Sequence, residues 1–243
     1  MLRLAVCQTP EILGDVDAAL GCIEDLTVRA AAGGAGLVVF PECFLQGYLA
    51  DGHHVRRHAL DLASAAFAGV LRRLAPLVPT LVFGVVERRG DRFHNAAVVV
   101  DGGRLAGVYR KTRLLPGEAV FTAGSAYPTF ERGGLRWGIN ICHDTAAPGP
   151  AAAVAAQGAR LLVVPAQNMM RRAAALAWRD RHEPVRAARA RETGMWVASA
   201  DVTGERGTDR VALGPTSILD PRGEPVARVP LGTAGLAIAD VGP

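Results

Sequence analysis

Trp137-Gly-Ile-Asn-Ile-Cys142-His-Asp144 closes an apolar run that begins at Leu135. Beyond the cysteine the chain turns polar at once, through His143, Asp144 and Thr145, with Pro148 and Gly149 close behind. This pattern predicts a buried strand ending in a turn that presents one thiol at its tip. A cysteine beside an apolar run is, taken alone, a small buried hydrophobe. Two strand ends earlier in the chain give it another meaning.

Leu37-Val-Val-Phe40 reads as a buried strand that stops at Pro41-Glu42, and Leu105 to Tyr109 as one that stops at Arg110-Lys111. Glu42, Lys111 and Cys142 therefore each lie within two residues of the end of an apolar strand. Such ends are where α/β folds gather ligands and catalytic groups. Lys111 stands out further, because among 27 basic residues it is the only lysine. Arginine is bulky, planar and always charged, so it does not replace a compact ammonium of adjustable pKa. A carboxylate, an ammonium and a thiol brought together suit acyl transfer. The carboxylate takes the thiol proton, the ammonium lowers the thiol pKa and stabilises an oxyanion, and the N–H of His143 is a second oxyanion donor.

Composition narrows the setting. The chain has 243 residues, 50% apolar and 21% charged, enough for one large core in a single α/β domain spanning 1–243. No apolar run reaches the ~18 residues of a membrane span, and Met1-Leu-Arg-Leu-Ala-Val-Cys7 lacks a signal-peptide core. A cytoplasmic location is expected. Cys7, Cys22, Cys43 and Cys142 are scattered without a CxxC pair, which argues against disulfides and zinc. The net charge of +4 raises nucleic acid as a partner. However, Arg171, Arg172, Arg179, Arg181, Arg186, Arg189 and Arg191 are interleaved with alanines and acids and no aromatic ladder, so a solvated helix face is expected. His53, His54 and His58 lack the companions of a metal site, and a pocket-rim or solvent role is expected for them.

The remaining periodicity predicts an order of elements. Strands are expected at Leu2 to Val6, Thr80 to Val86, His94 to Val100, Arg160 to Val164, Met195 to Ala200, Gly214 to Leu219, Glu224 to Val229 and Gly235 to Ala239. Helices are expected from Val16 to a stop at Gly33-Gly34, from Leu60 to Leu74, from Pro150 to Gln157, and over 171–193 with an interruption near Pro184. Strands and hairpins flanked by helices indicate layered sheets covered by helices.

The motifs at the three strand ends resemble those of the nitrilase superfamily of carbon–nitrogen hydrolases, over residues 1 to about 240. Phe40-Pro-Glu42 with Gly47-Tyr48 is similar to the glutamate motif, Tyr109-Arg-Lys111-Thr-Arg-Leu114 to the lysine motif, and Gly138-Ile-Asn-Ile-Cys142-His-Asp144 to the nucleophile motif. Pro116-Gly-Glu118, with Phe121 and Gly124 beyond, resembles the segment of a further glutamate that positions lysine and substrate. Val164-Pro-Ala-Gln-Asn168, Arg189-Ala-Arg-Glu192 and Gly214-Pro-Thr-Ser217 with Asp220-Pro-Arg-Gly223 follow in the expected order. The resemblance implies a four-layer α-β-β-α sandwich and a homodimer or higher homo-oligomer. It implies attack by Cys142 on a small amide or N-carbamoyl compound, an oxyanion held by Lys111, proton transfer by Glu42, and no metal or organic cofactor. Tyr48, Glu118, His143, Asn168 and Met169 are the expected pocket residues.

The chain also departs from the resemblance. Ala147, Pro148 and Gly149 stand where a large aromatic and Pro-Glu are common, so a wider pocket or a looser loop is expected. Arg113 replaces a frequent histidine and Asp201 a usual asparagine. Nitrile hydrolysis and acyl transfer remain alternatives on the same residues, as does a non-catalytic binding module; a depressed Cys142 pKa favours the enzyme. Cys43 is expected to pack rather than react, because it lacks a strand-into-turn setting. A Cys142–His143 pair is not expected, since neighbours along a strand point to opposite faces.

Overall fold

The computed structural model describes residues 1–242. In chain order it begins β1 (Leu2–Pro10), α1 (Val16–Ala32), β2 (Leu37–Val39), α2 (Gly52–His58), α3 (Ala65–Leu74), β3 (Thr80–Arg89), β4 (Arg92–Asp101) and β5 (Arg104–Arg110). Then come β6 (Thr129–Arg132), β7 (Leu135–Ile139), α4 (Pro148–Ala155), β8 (Leu161–Pro165), β9 (Met170–Arg171), α5 (Arg172–Trp178) and α6 (His182–Thr193). β10 (Trp196–Arg206), β11 (Arg210–Leu213), β12 (Ser217–Leu219), β13 (Pro225–Arg228) and β14 (Gly235–Val241) complete it.

The strands follow the path β5-β4-β3-β2-β1-β10-β8-β7-β6. β10 joins two sheets: residues 196–200 pair with β8, while Asp201, Val202 and Thr203 pair with β1. Strand direction decides where function gathers. β3, β2, β1, β10, β8 and β7 are mutually parallel. β4 runs against β3, and β5 runs against β4, so β5 points the same way as the parallel set. The C-terminal ends of β2, β5 and β7 thus share one edge, and the start of β4 lies there too.

Side-chain alternation builds the layers. Leu4, Val6, Val39, Val82 and Val99 from one sheet meet Trp137, Ile139, Leu161, Val163 and Ile218 from the other in a buried core between the sheets. The alternate residues Ala5, Val38, Leu81 and Phe83 face outward and pack against Leu20, Ile23, Phe67 and Val70 of α1 and α3. On the far side, Leu162, Val164, Val197 and Leu219 pack against Ala151, Val154, Ala187 and Ala190 of α4 and α6. The architecture is the α-β-β-α sandwich that the sequence led us to expect.

Boundaries differ locally. The expected helix from Leu60 to Leu74 begins only at Ala65, because Ser64 caps it by accepting the N–H of Phe67 at 3.2 Å. A separate helix, α2, occupies the histidine-rich loop, capped by Asp51 accepting the N–H groups of His53 and His54. The break in 171–193 falls at 179–181, and Pro184 sits in the first turn of α6, where a missing N–H costs nothing. The segment 147–149 is no loose loop: Pro148 opens α4. Short β6, β9 and β11 carry no periodicity long enough to read from sequence.

Candidate active site

β2 ends at Val39 and β7 at Ile139, so Glu42 and Cys142 each stand three residues beyond a strand, while Lys111 directly follows β5. Lys111 Nζ lies 2.7 Å from Glu42 Oε1 and 2.9 Å from Glu118 Oε1, with all three side chains buried. Asn95, at the start of β4, donates through Nδ2 to Glu42 Oε1 at 2.7 Å and to Glu118 Oε1 at 3.2 Å. Tyr48 donates its hydroxyl to Glu118 Oε1 at 2.9 Å, and the N–H of Leu115 donates to Glu118 Oε2 at 2.7 Å. One ammonium shared between two carboxylates, each further hydrogen-bonded, satisfies the condition for keeping charges buried.

Local backbone places these groups. Gly84 of β3 lies against the turn that carries Glu42: its N–H donates to Pro41 O at 3.0 Å and its carbonyl accepts from Leu45 N at 3.0 Å. A Cβ added there would stand 2.0 Å from Cys43 N and 2.5 Å from the Glu42 carbonyl carbon, so only glycine permits this approach. Cys142 opens a 3-10 turn, Cys142–Ala146, with φ of 42°, a left-handed conformation unusual for a residue with a side chain. The turn, rather than strand alternation, separates Cys142 from His143. Cys43 also has a positive φ, 47°, and follows β2 into a turn, contrary to the setting expected for it; it is nevertheless fully buried, its thiol 4.0 Å from Val85 O.

Asp144 ties two of the strand ends together. Its Oδ2 accepts the Tyr109 hydroxyl at 2.7 Å and Ile141 N–H at 2.8 Å. Its Oδ1 accepts Thr112 N–H at 3.1 Å, Thr112 Oγ1–H at 2.9 Å and Arg113 N–H at 2.7 Å. A single buried carboxylate thereby fixes the residues before Cys142 and those after Lys111.

The electrostatics follow from enclosure. Burial pushes the Glu42 carboxyl above its ordinary range, with Glu118 adding to the rise and Lys111 opposing it. Burial acts upward on Glu118 as well, but Lys111, the Leu115 N–H and the Tyr48 hydroxyl outweigh it and hold this carboxyl low. Burial works against the Lys111 charge, yet Glu42, Cys142 and Glu118 outweigh it and keep the ammonium protonated. The Cys142 thiol is pushed up, first by burial and then by Glu42, and Lys111 only partly offsets this. The depressed thiol pKa expected from sequence is therefore not what the resting site holds.

Cys142, His143 and Asn168 line one cavity of about 230 Å³ with Leu115, Trp178 and His182. Tyr48, Glu118 and Met169 line a neighbouring one, and Leu115 belongs to both. The expected pocket residues thus fall on two adjoining cavities. Burial, then Lys111 and Arg113, lowers the His143 imidazole, leaving it neutral. Asn168 donates its backbone N–H to Asp201 Oδ1 at 3.0 Å and its amide N–H to Asp201 Oδ2. Asp201 in turn faces Arg186 Nη2 at 3.4 Å.

Arg186 and Arg189 correct the reading of a solvated arginine face: both are buried. Arg186 donates to Ser199 Oγ at 2.8 Å and to the Pro215 carbonyl, and Arg189 donates to the Thr145 carbonyl at 3.0 Å. His54 is buried as well, its ring 3.0 Å from Gly47 O and tilted 37° against the His58 ring at 4.6 Å. Among the described residues no cluster of His, Cys, Asp and Glu is arranged to hold a metal ion, and no helix is long and apolar enough to cross a membrane. Sequence reasoning missed Asn95, which the apolar run from Ala96 to Val100 places in a strand without indicating what its side chain meets.

Comparison with known proteins agrees with this geometry. The chain is 29% identical over 201 residues to an (R)-stereoselective amidase of a Pseudomonas species, covering 81% of this chain and 69% of that one. It is 30% identical over 233 residues to a nitrilase of Pyrococcus abyssi, covering 92% and 83%. Its fold superposes with a TM-score of 0.85 and 26% identity on a solved amidase from Nesterenkonia sp. AN1, covering 100% of this chain and 94% of that one. That structure is a variant with acrylamide added at its active-site cysteine. The carbon–nitrogen hydrolase family model matches residues 3–243. The chain belongs to the carbon–nitrogen hydrolase family and is an amidase-type enzyme of it.

Proposed function

We propose that the enzyme hydrolyses a small amide through a thioester on Cys142, with Glu42 as the proton carrier and Lys111 as the oxyanion ligand. The observation that carries this reading is the Lys111 ammonium held between Glu42 and Glu118 beside the thiol. Glu42 takes the proton from Cys142 Sγ as sulfur bonds to the carbonyl carbon, and the carbonyl pair moves onto oxygen. Lys111 Nζ and the N–H of His143, which lies in the first turn of the 3-10 segment Cys142–Ala146, receive that oxyanion. The C–N bond then breaks as Glu42 returns the proton to nitrogen and ammonia leaves. Water attacks the thioester, its proton passes to Glu42, the C–S bond breaks, and Glu42 reprotonates the sulfur.

A raised Glu42 carboxyl fits both directions of this transfer, since it is a stronger base than an exposed glutamate. Because the resting thiol is held protonated, transfer is concerted with substrate binding rather than complete beforehand. Glu118 and Asn95 act through Lys111 and Glu42, as positioning residues. Residues 1–243 work as one catalytic domain in this reading, as a cytoplasmic homodimer or higher homo-oligomer; sedimentation reads the oligomeric state directly. The test is ammonia release from a panel of small amides, N-carbamoyl compounds and nitriles, for wild type and Cys142→Ala. Release from amides that is lost in the variant is expected. Release confined to nitriles replaces the amide assignment, and release that persists in Cys142→Ala removes the thiol from the mechanism.

A further inference from the structure

A cavity of about 620 Å³ is lined by Tyr48 and Glu118 together with Arg206 and Arg210. Arg206 closes β10, Arg210 opens β11, and the two are direct register partners across that antiparallel pair. Directly opposed residues share a face, so two guanidinium groups stand side by side, an arrangement that is unfavourable without anions. One carboxylate answers them. Glu11 Oε1 lies 3.4 Å from Arg206 Nη1 and also accepts Gln167 Nε2 at 2.6 Å. Arg210 makes no ion pair among the described residues. Glu205 is drawn away by Arg172 at 2.9 Å, and Asp209, in the turn between the two arginines, is exposed and pairs with neither.

Glu118, which also lines this cavity, is committed to Lys111 rather than to the arginines. Its Oε1 is taken by Lys111, Asn95 and Tyr48, and its Oε2 by the Leu115 N–H. Leu115 and Met169 supply apolar surface to the same cavity. The lining of this one cavity therefore combines the hydrogen-bonded Tyr48 and Glu118, the apolar Leu115 and Met169, and an arginine pair with surplus positive charge. Leu115 also borders the cavity that contains Cys142.

The geometry points to an amide substrate that carries a carboxylate remote from its scissile bond, received by Arg210 with Arg206. The guanidinium fork matches a carboxylate in bidentate fashion, and a short methylene chain suits the apolar lining. This inference rests on the amidase reading above and adds the class of substrate to it. The carboxylate sits on either the acyl or the amine part, and the two are separated by experiment.

The experiment compares kcat/KM for two pairs: glutaramate with its methyl ester, and N-acetyl-β-alanine with its methyl ester. Each pair is measured with wild type and with Arg210→Gln. The anionic member of one pair is expected to be preferred by wild type, and Arg210→Gln to shrink that preference by roughly 10- to 100-fold, as for a lost charge-assisted hydrogen bond. The preferred pair identifies the end that bears the carboxylate. The preference is also expected to weaken as salt is raised. No anionic preference in either pair, or a preference that Arg210→Gln leaves intact, overturns the proposal while ester hydrolysis at the amide bond keeps the amidase reading. Calorimetric binding of glutarate to Cys142→Ala, with and without Arg210→Gln, reads the site without turnover. Binding weakened by the second substitution supports the anion site even if no amide in any panel reacts, and absent or unaltered binding overturns it.

Discussion

The carboxylate of Asp144 accepts the backbone N–H of Arg113 at 2.7 Å while its other oxygen accepts Ile141 N–H at 2.8 Å. The segment after Lys111 and the segment before Cys142 are thereby held by one side chain. In Asp144→Ala the buried Ile141 N–H, the part-buried Arg113 N–H and the Tyr109 hydroxyl lose their acceptor. Each orphaned donor costs on the order of 1–3 kcal/mol, so a total loss of about 3 kcal/mol in unfolding free energy is expected after partial relaxation. Chemical denaturation measures it. Activity should fall further than stability explains, because Lys111 and Cys142 lose their common anchor.

Gly84 supports the third member. In Gly84→Ala the new Cβ meets Cys43 N and the Glu42 backbone, which are not free to move without displacing the Glu42 carboxylate. Overpacking of this kind costs about 1–3 kcal/mol. A shift of roughly 1 Å at a catalytic group costs about 100-fold in rate. A folded Gly84→Ala protein with kcat near wild type, judged by circular dichroism and ammonia release, would contradict the role given to this contact.

The pH dependence of activity follows from Glu42. Its carboxyl is raised above the ordinary 4.5, and in the proposed mechanism it must be ionised to accept the thiol proton. As pH falls through that raised pKa the base is lost, so the acid limb of kcat/KM lies above pH 4.5. The limb belongs to the coupled Glu42, Glu118 and Lys111 set rather than to one residue. A profile flat to pH 4 would show that Glu42 is not the base.

His182 carries a stability prediction. Burial, with Arg186 adding to it, lowers this imidazole from 6.5 to about 4. Folding holds it neutral, whereas the unfolded chain binds a proton below pH 6.5; its contribution is complete above that value and is lost as pH falls toward 4. Replacing it by Asn should flatten the wild-type decline in unfolding free energy between pH 8 and 4.5 by roughly 2 kcal/mol. Denaturant titrations at the two pH values give the difference.

The positions of Glu42, Lys111 and Cys142 are legible in sequence because each interrupts an apolar run abruptly, and the shared direction of β2, β5 and β7 brings those interruptions to one edge, where Lys111 meets Glu42. Asn95 was not legible, since its place depends on β4 running opposite to β3, which no local pattern states. Arg186 and Arg189 were misread for a related reason. Their alanine-rich surroundings look solvated, but Pro215 O and Thr145 O arrive from distant segments to receive them. The separate helices α2 and α3 depend on Asp51 and Ser64 as caps, residues equally at home in a loop. The thiol was misjudged because the lysine was weighed without the burial that outweighs it.

The central claim is a covalent acyl intermediate on Cys142. Acid quenching during turnover of the best amide substrate, followed by intact-mass and peptide-level mass spectrometry, tests it directly. A mass increase equal to the substrate less ammonia, confined to the peptide bearing Cys142 and absent from Cys142→Ala, is the predicted result. Steady turnover in the Cys142→Ala protein, or an acyl group mapped to another residue, would contradict it.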